Sequence, residues 1–138
     1  MTSDLNTQVV LDGFEAFVEG RFDVIAQLWD RDCLMTAPEG WPERGPFVGR
    51  DAVYDQIQRL RADFDRHQFD VGSVTTEGDW VVVEFEWIVR GAASGVETQF
   101  DMVGAFRVED GRMKELHYRW TRADALEAAG VSEQAGLD

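Results

Sequence analysis

The chain of 138 residues holds a single cysteine, Cys33, so no intrachain disulfide and no cysteine-based metal cluster can form. Its three prolines, Pro38, Pro42 and Pro46, all fall between residues 37 and 49. That stretch is therefore a structured loop, and the rest of the chain is free to build long regular elements. Positive charge is scarce: 13 Lys plus Arg face 27 Asp plus Glu, a formal net charge of −14, and Lys114 is the lone lysine. Such a balance repels phosphate backbones and anionic lipid surfaces, so neither nucleic acid nor membrane is an expected partner. No apolar run approaches the roughly 18 residues of a membrane span. Met1-Thr2-Ser3-Asp4 lacks the basic-then-apolar start of a secretory leader, which points to the cytoplasm. Gly-rich phosphate loops, a serine nucleophile elbow and a Cys–His pair are all missing. Asp30 and Asp32 lack the spacing of a calcium loop. No metal and no cofactor are expected, and Cys33 reads as a small buried hydrophobe.

What is present is apolar and aromatic. Hydrophobic residues make up 44% of the chain, with nine Phe, five Trp and two Tyr, enough for one well-buried domain of ordinary size. Residues 3–19 have a helical period, with Val9, Val10, Gly13, Phe14 and Phe17 on one face and Gly20 as the stop. A short helix is predicted over 22–29, ended by the acidic turn Asp30-Arg31-Asp32, and a short strand over 33–36. A third helix is predicted over 51–65, with Val53, Tyr54, Ile57, Leu60 and Phe64 recurring at helical spacing. From His67 the period becomes two. Strands are predicted over 68–76, 80–90, 96–108 and 112–120, with Glu77-Gly78-Asp79 and Glu109-Asp110-Gly111 as hairpin turns. Chain order makes this meander antiparallel. His67 reads as an exposed residue at a helix end. A last helix over 122–129 stops at Gly130, and residues 131–138 read as a frayed tail. The layout is α+β, with helices on one face of the sheet. The core face of 96–108 carries Phe100, Met102, Gly104 and Phe106, and the opposite face is mixed enough to leave room for a second subunit.

Four local motifs occur in order along this frame: Gly13-Phe14-Glu15-Ala16-Phe17 with Gly20-Arg21-Phe22-Asp23; Ala37-Pro38-Glu39-Gly40-Trp41-Pro42; Phe47-Val48-Gly49-Arg50-Asp51-Ala52-Val53; and Asp110-Gly111-Arg112-Met113. Together they resemble the SnoaL-like branch of the nuclear transport factor 2-like superfamily over about residues 5–130. The resemblance implies a cone-like curved sheet, antiparallel or mixed, packed on three N-terminal helices. It implies a ligand pocket between the concave face and those helices, and a homodimer through the outer face. It also implies a range of functions, from cofactor-independent cyclases, isomerases and hydrolases acting on apolar, polyketide-like or steroid-like compounds to proteins without chemistry.

Candidate site residues follow from both readings. In 112–120, Leu116-His117-Tyr118-Arg119-Trp120 places polar groups consecutively. Strand parity turns either His117 with Arg119, or Tyr118 with Trp120, toward the cavity. Leu116 favours the Tyr118 set and Met113 the His117 set, and a bulge between them would reconcile the two. His117 titrates near neutrality when unperturbed, which makes it a candidate base. On the alternative reading it meets a carboxylate such as Glu84 or Glu86. Trp41 and Glu39, in the proline-rich loop, are placed to close the open end of the cone. Phe14, Phe17, Trp29, Tyr54, Met102, Phe106 and Trp120 are the expected wall, suited to a small hydrophobic or aromatic ligand. Geometry separates the readings. An enzyme needs at least two polar side chains converging within a few ångströms in a cavity of about 300 Å3 or more, a binding module needs the cavity with one polar anchor, and a structural dimer has its pocket filled.

Overall fold

A computed structural model describes residues 2–131; the frayed-tail expectation lies, from residue 132 on, outside the described residues. The elements are α1 (Thr2–Glu19), α2 (Phe22–Leu28), β1 (Trp29–Thr36), β2 (Phe47–Val48), α3 (Arg50–Asp63), β3 (Phe64–Glu77), β4 (Trp80–Gly91), β5 (Glu97–Glu109), β6 (Arg112–Arg119) and α4 (Arg122–Ala129). The six strands form one curved, open sheet in the order β2-β1-β6-β5-β4-β3.

The strands β3 to β6 are the expected antiparallel meander. The sheet as a whole is mixed, because β1 runs parallel to β6. Asp30-Arg31-Asp32 therefore does not form a turn. It lies inside β1, at a break in register between Trp29 and Leu34. The Asp30 carboxylate accepts from the Asp32 backbone N–H at 2.9 Å and pairs with Lys114 at 3.0 Å, which secures polar residues at an irregular stretch of strand. At the other edge, α3 ends at Asp63 and Phe64 already belongs to β3.

The main core lies between α1, α2, α3 and the inner face of the sheet, and includes Val10, Phe14, Ile25, Trp29, Met35, Ile57, Phe85, Trp87, Phe106 and Leu116. Helix α1 presents its apolar stripe to the strands, and Asn6 donates to the Val108 carbonyl at 3.3 Å. Arg61 of α3 donates to the carbonyls of Phe17 and Val18 at 2.8 and 3.1 Å, capping the C-terminal end of α1. The helices are not all on one face. On the far side of the sheet α4 buries Ala125 and Leu126 against Val82, Val103 and Ala105. That helix is capped by the Thr121 side chain, which accepts from the Asp124 N–H at 3.2 Å, and it ends at Gly130 with φ 72°.

Candidate functional site

The inner face of the sheet curves around a cavity of about 80 Å3. Its wall draws on α1 (Phe14, Phe17), β1 (Trp29, Met35), α3 (Gln56, Ile57, Leu60), β3 (Phe69), β4 (Phe85, Trp87), β5 (Met102, Phe106) and β6 (Met113, Leu116, Tyr118), with Ala37, Pro38 and Trp41 from the loop after β1. Phe14, Phe17, Trp29, Trp41, Met102, Phe106 and Tyr118 are thus brought together at one site. Rings pack on rings throughout: Phe14 meets Phe69 at 4.7 Å and Phe85 at 5.0 Å, and Tyr118 stands edge-on to Phe106 at 6.1 Å. The cavity is smaller than the 300 Å3 expected, because these aromatic side chains occupy much of the cone.

The orientation of β6 is settled by a bulge. Arg107 pairs with Glu115 and Val108 with Met113, which leaves Lys114 as the extra residue. Met113, Leu116 and Tyr118 can then all face inward. The Tyr118 hydroxyl makes no hydrogen bond with any described residue, and burial pushes its pKa upward, so it stays a neutral donor.

His117 takes the opposite face, beside Ala105 and the ring of Trp80. Its Nε2–H donates to Glu115 at 3.0 Å, and its Nδ1 lies 2.7 Å from the Thr36 hydroxyl. Arg119 donates to the same hydroxyl at 2.9 Å, and Arg107 donates to Glu115 at 3.1 Å. Burial works to raise the Glu115 carboxyl, but the hydrogen bonds from His117 and Arg107 outweigh it and hold the group below its ordinary range. The carboxylate that meets His117 is thus Glu115, two residues away, and not Glu84 or Glu86. This chain of polar contacts fastens β6 to the end of β1.

Glu39 is exposed and its side chain does not reach the cavity, but its backbone carbonyl accepts from the Trp120 indole N–H at 2.8 Å. Trp120 itself is 39% exposed and does not line the cavity. It packs at a tilt outside Trp41, at 6.1 Å, while Trp41 packs on Phe100 at 5.4 Å and Trp87 at 6.0 Å. Glu39 and Trp120 therefore hold the loop that places Trp41 over the cavity. Tyr54 lies outside the wall, edge-on to Phe22 at 6.0 Å.

Two residues stand apart from the expectations drawn from the sequence. His67 is buried, not exposed. It stacks on Trp87, its Nε2–H donates to the Arg61 carbonyl at 3.1 Å, and its Nδ1 accepts from the Trp87 indole at 3.3 Å. Burial lowers its pKa from the ordinary value. Gln56 was not singled out, although its position shares a helical stripe with Val53 and Leu60, three residues before and four after. That polar residue in an apolar stripe was the available signal. Cys33 is buried as expected, and burial pushes its thiol up to about 11, which makes it unreactive at neutral pH.

Comparison with solved structures returns the same architecture. Bal32a from a soil-derived mobile gene cassette superposes with a TM-score of 0.78 at 18% identity, covering 93% of this chain and 98% of that one. TerC, co-crystallised with polyporic acid, gives 0.74 at 17% identity over 89% and 96%. An LEH-like epoxide hydrolase of M. tuberculosis gives 0.72 at 16% identity over 90% and 84%. At these identities the likeness shows the fold alone. No curated protein matches the chain. The motifs from the first helix to the last strand lie within one continuous match, residues 10–116, to the SnoaL-like domain, and the chain belongs to that family.

Proposed function

We propose that this chain binds a small, largely apolar organic molecule in the cavity, and that binding without acid–base turnover is its function. The carrying observation is the composition of the wall. Apart from indole N–H groups, Gln56 and Tyr118 are the hydrogen-bonding side chains in it, and no Asp, Glu, His, Lys or Arg lines it among the described residues. A general base within reach of a bound ligand is what acid–base chemistry requires. The candidate base His117 points away from this cavity.

Size narrows the ligand. About 80 Å3 is less than the roughly 150 Å3 apolar cavity that accommodates benzene, so a ring-sized ligand displaces part of the wall. Trp41 is the ring that comes from a loop and is only partly buried, and its displacement opens the cone. Fused-ring compounds of polyketide or steroid size need pockets of several hundred Å3 and fit this reading poorly. That a similar fold, TerC, was crystallised with polyporic acid supports an organic ligand.

The homodimer belongs to the same reading, with the outer sheet face as its contact. Part of that face is covered by α4, and another part carries the exposed acids Glu86 and Asp101. Pairing of two copies is therefore expected to strengthen as salt screens those charges.

Calorimetric titration with benzene, toluene and cyclohexanone tests the function. Saturable 1:1 binding that Trp41→Ala alters is the expected result. No binding by any of the three would leave the cavity a packing void.

A further inference from the structure

Gln56 is 5% exposed, and its Oε1 has no hydrogen-bond partner among the described residues. Nothing about α3 demands polarity here. Leu serves a helix interior as well as Gln does, and Val53, Ile57 and Leu60 around it are apolar. A buried amide oxygen lacking a donor is costly, and such orphans are rare in native proteins. Gln56 also lines the cavity that Tyr118 lines, and the Tyr118 hydroxyl has no partner among the described residues. The wall of one small apolar chamber thus includes a residue whose amide oxygen lacks a donor and a residue whose hydroxyl lacks an acceptor.

We propose that Gln56 is the polar anchor of the cavity and that its ligand is a compact phenol or alicyclic alcohol, whose O–H donates to Gln56 Oε1. The inference rests on the cavity being a ligand site. A hydroxyl is the group that fits best, because it both donates and accepts. It satisfies the amide whichever end faces it, and its oxygen can also accept from the Tyr118 phenol. The rest of the ligand is a single ring, since the aromatic wall offers only apolar contact and little volume. A carboxylate is excluded from this role: no cation lines the wall among the described residues, and a carboxylate could not donate to Oε1.

Phenol and toluene are close in size and differ in the hydroxyl, so the pair isolates the anchor. Titrations use the full chain at one pH and salt concentration, read by calorimetry. The wild type is expected to bind phenol about tenfold or more tightly than toluene, because a site with an unpaired polar group discriminates strongly against the analogue that cannot pair. In Gln56→Leu that preference collapses while toluene still binds. Gln56→Met serves the same purpose if the leucine variant does not fold. Equal binding of phenol and toluene by the wild type, or a preference that survives both substitutions, overturns the anchor and leaves the apolar cavity standing. Failure of both probes to bind removes the ligand site, and the anchor with it.

Discussion

Gly104 and Tyr118 face each other across the ladder between β5 and β6, and the side chain missing from one makes room for the ring of the other. A methyl group on Gly104 would lie 2.7 Å from Phe106 Cε1 and 3.3 Å from Tyr118 Cε1. Both rings line the cavity, so this glycine sets how the wall closes. Gly104→Ala is expected to destabilise the protein by about 1–3 kcal/mol through overpacking. Urea unfolding measures it, and an unchanged midpoint would show that the rings are not held where described.

Tyr118→Phe removes a hydroxyl from a half-buried ring, and that hydroxyl has no partner among the described residues. Because no hydrogen bond is broken, stability is expected to stay within about 0.5 kcal/mol of the wild type or to rise slightly. Affinity for cyclohexanone, whose carbonyl accepts from the phenol, is expected to fall several-fold, while affinity for benzene holds. A stability loss well beyond that margin would mean the hydroxyl is tied into the fold.

Buried His67 makes stability depend on pH. Its neutral ring accepts from Trp87 through Nδ1, so protonation removes that acceptor as well as charging a buried group. The folded value lies below the ordinary 6.5, so the unfolded chain binds the proton first. The contribution is therefore fully present above about pH 6.5 and is lost as pH falls through the folded value. His67→Gln is expected to flatten the fall in melting temperature below pH 6.5. An identical pH profile in the variant would assign that fall to other groups.

Across the outer face, Asp70 pairs with Glu86 and Glu86 with Asp101, which sets three exposed carboxylates in a row over β3, β4 and β5. Like charges directly opposite destabilise a sheet. Glu86→Thr, which keeps a good strand former, is expected to stabilise by about 0.2–1 kcal/mol, with the gain shrinking at high salt. Chemical unfolding at low and high ionic strength checks both parts, and a destabilised variant at low salt would contradict the argument.

These particulars show which features are local in the sequence. The strands at 80–90 and 96–108 alternate so regularly that their inner and outer residues could be read directly, and Phe85, Trp87, Met102 and Phe106 all line the cavity. The parallel pairing of β1 with β6 joins residues some eighty positions apart, and no short pattern encodes it. Asp30-Arg31-Asp32 looked like a turn because its extended form depends on Lys114, on the neighbouring strand. His67 looked exposed because the groups that bury it, Phe17 and Trp87, are far away in sequence. The facing of Tyr118 and His117 turned on a single bulged residue, Lys114, between two apolar anchors that each implied a different parity. Gln56 is not set apart by its immediate neighbours, because a polar residue between Asp55 and Ile57 resembles part of a solvated helix face.

The most direct measurement is a crystal structure of the chain grown with phenol. The account predicts one ring enclosed between Phe14, Phe85, Trp87 and Trp41, with its oxygen within hydrogen-bonding distance of the Gln56 amide. A chamber closed by protein side chains, with Gln56 paired to a neighbouring residue and phenol bound elsewhere or nowhere, would contradict it.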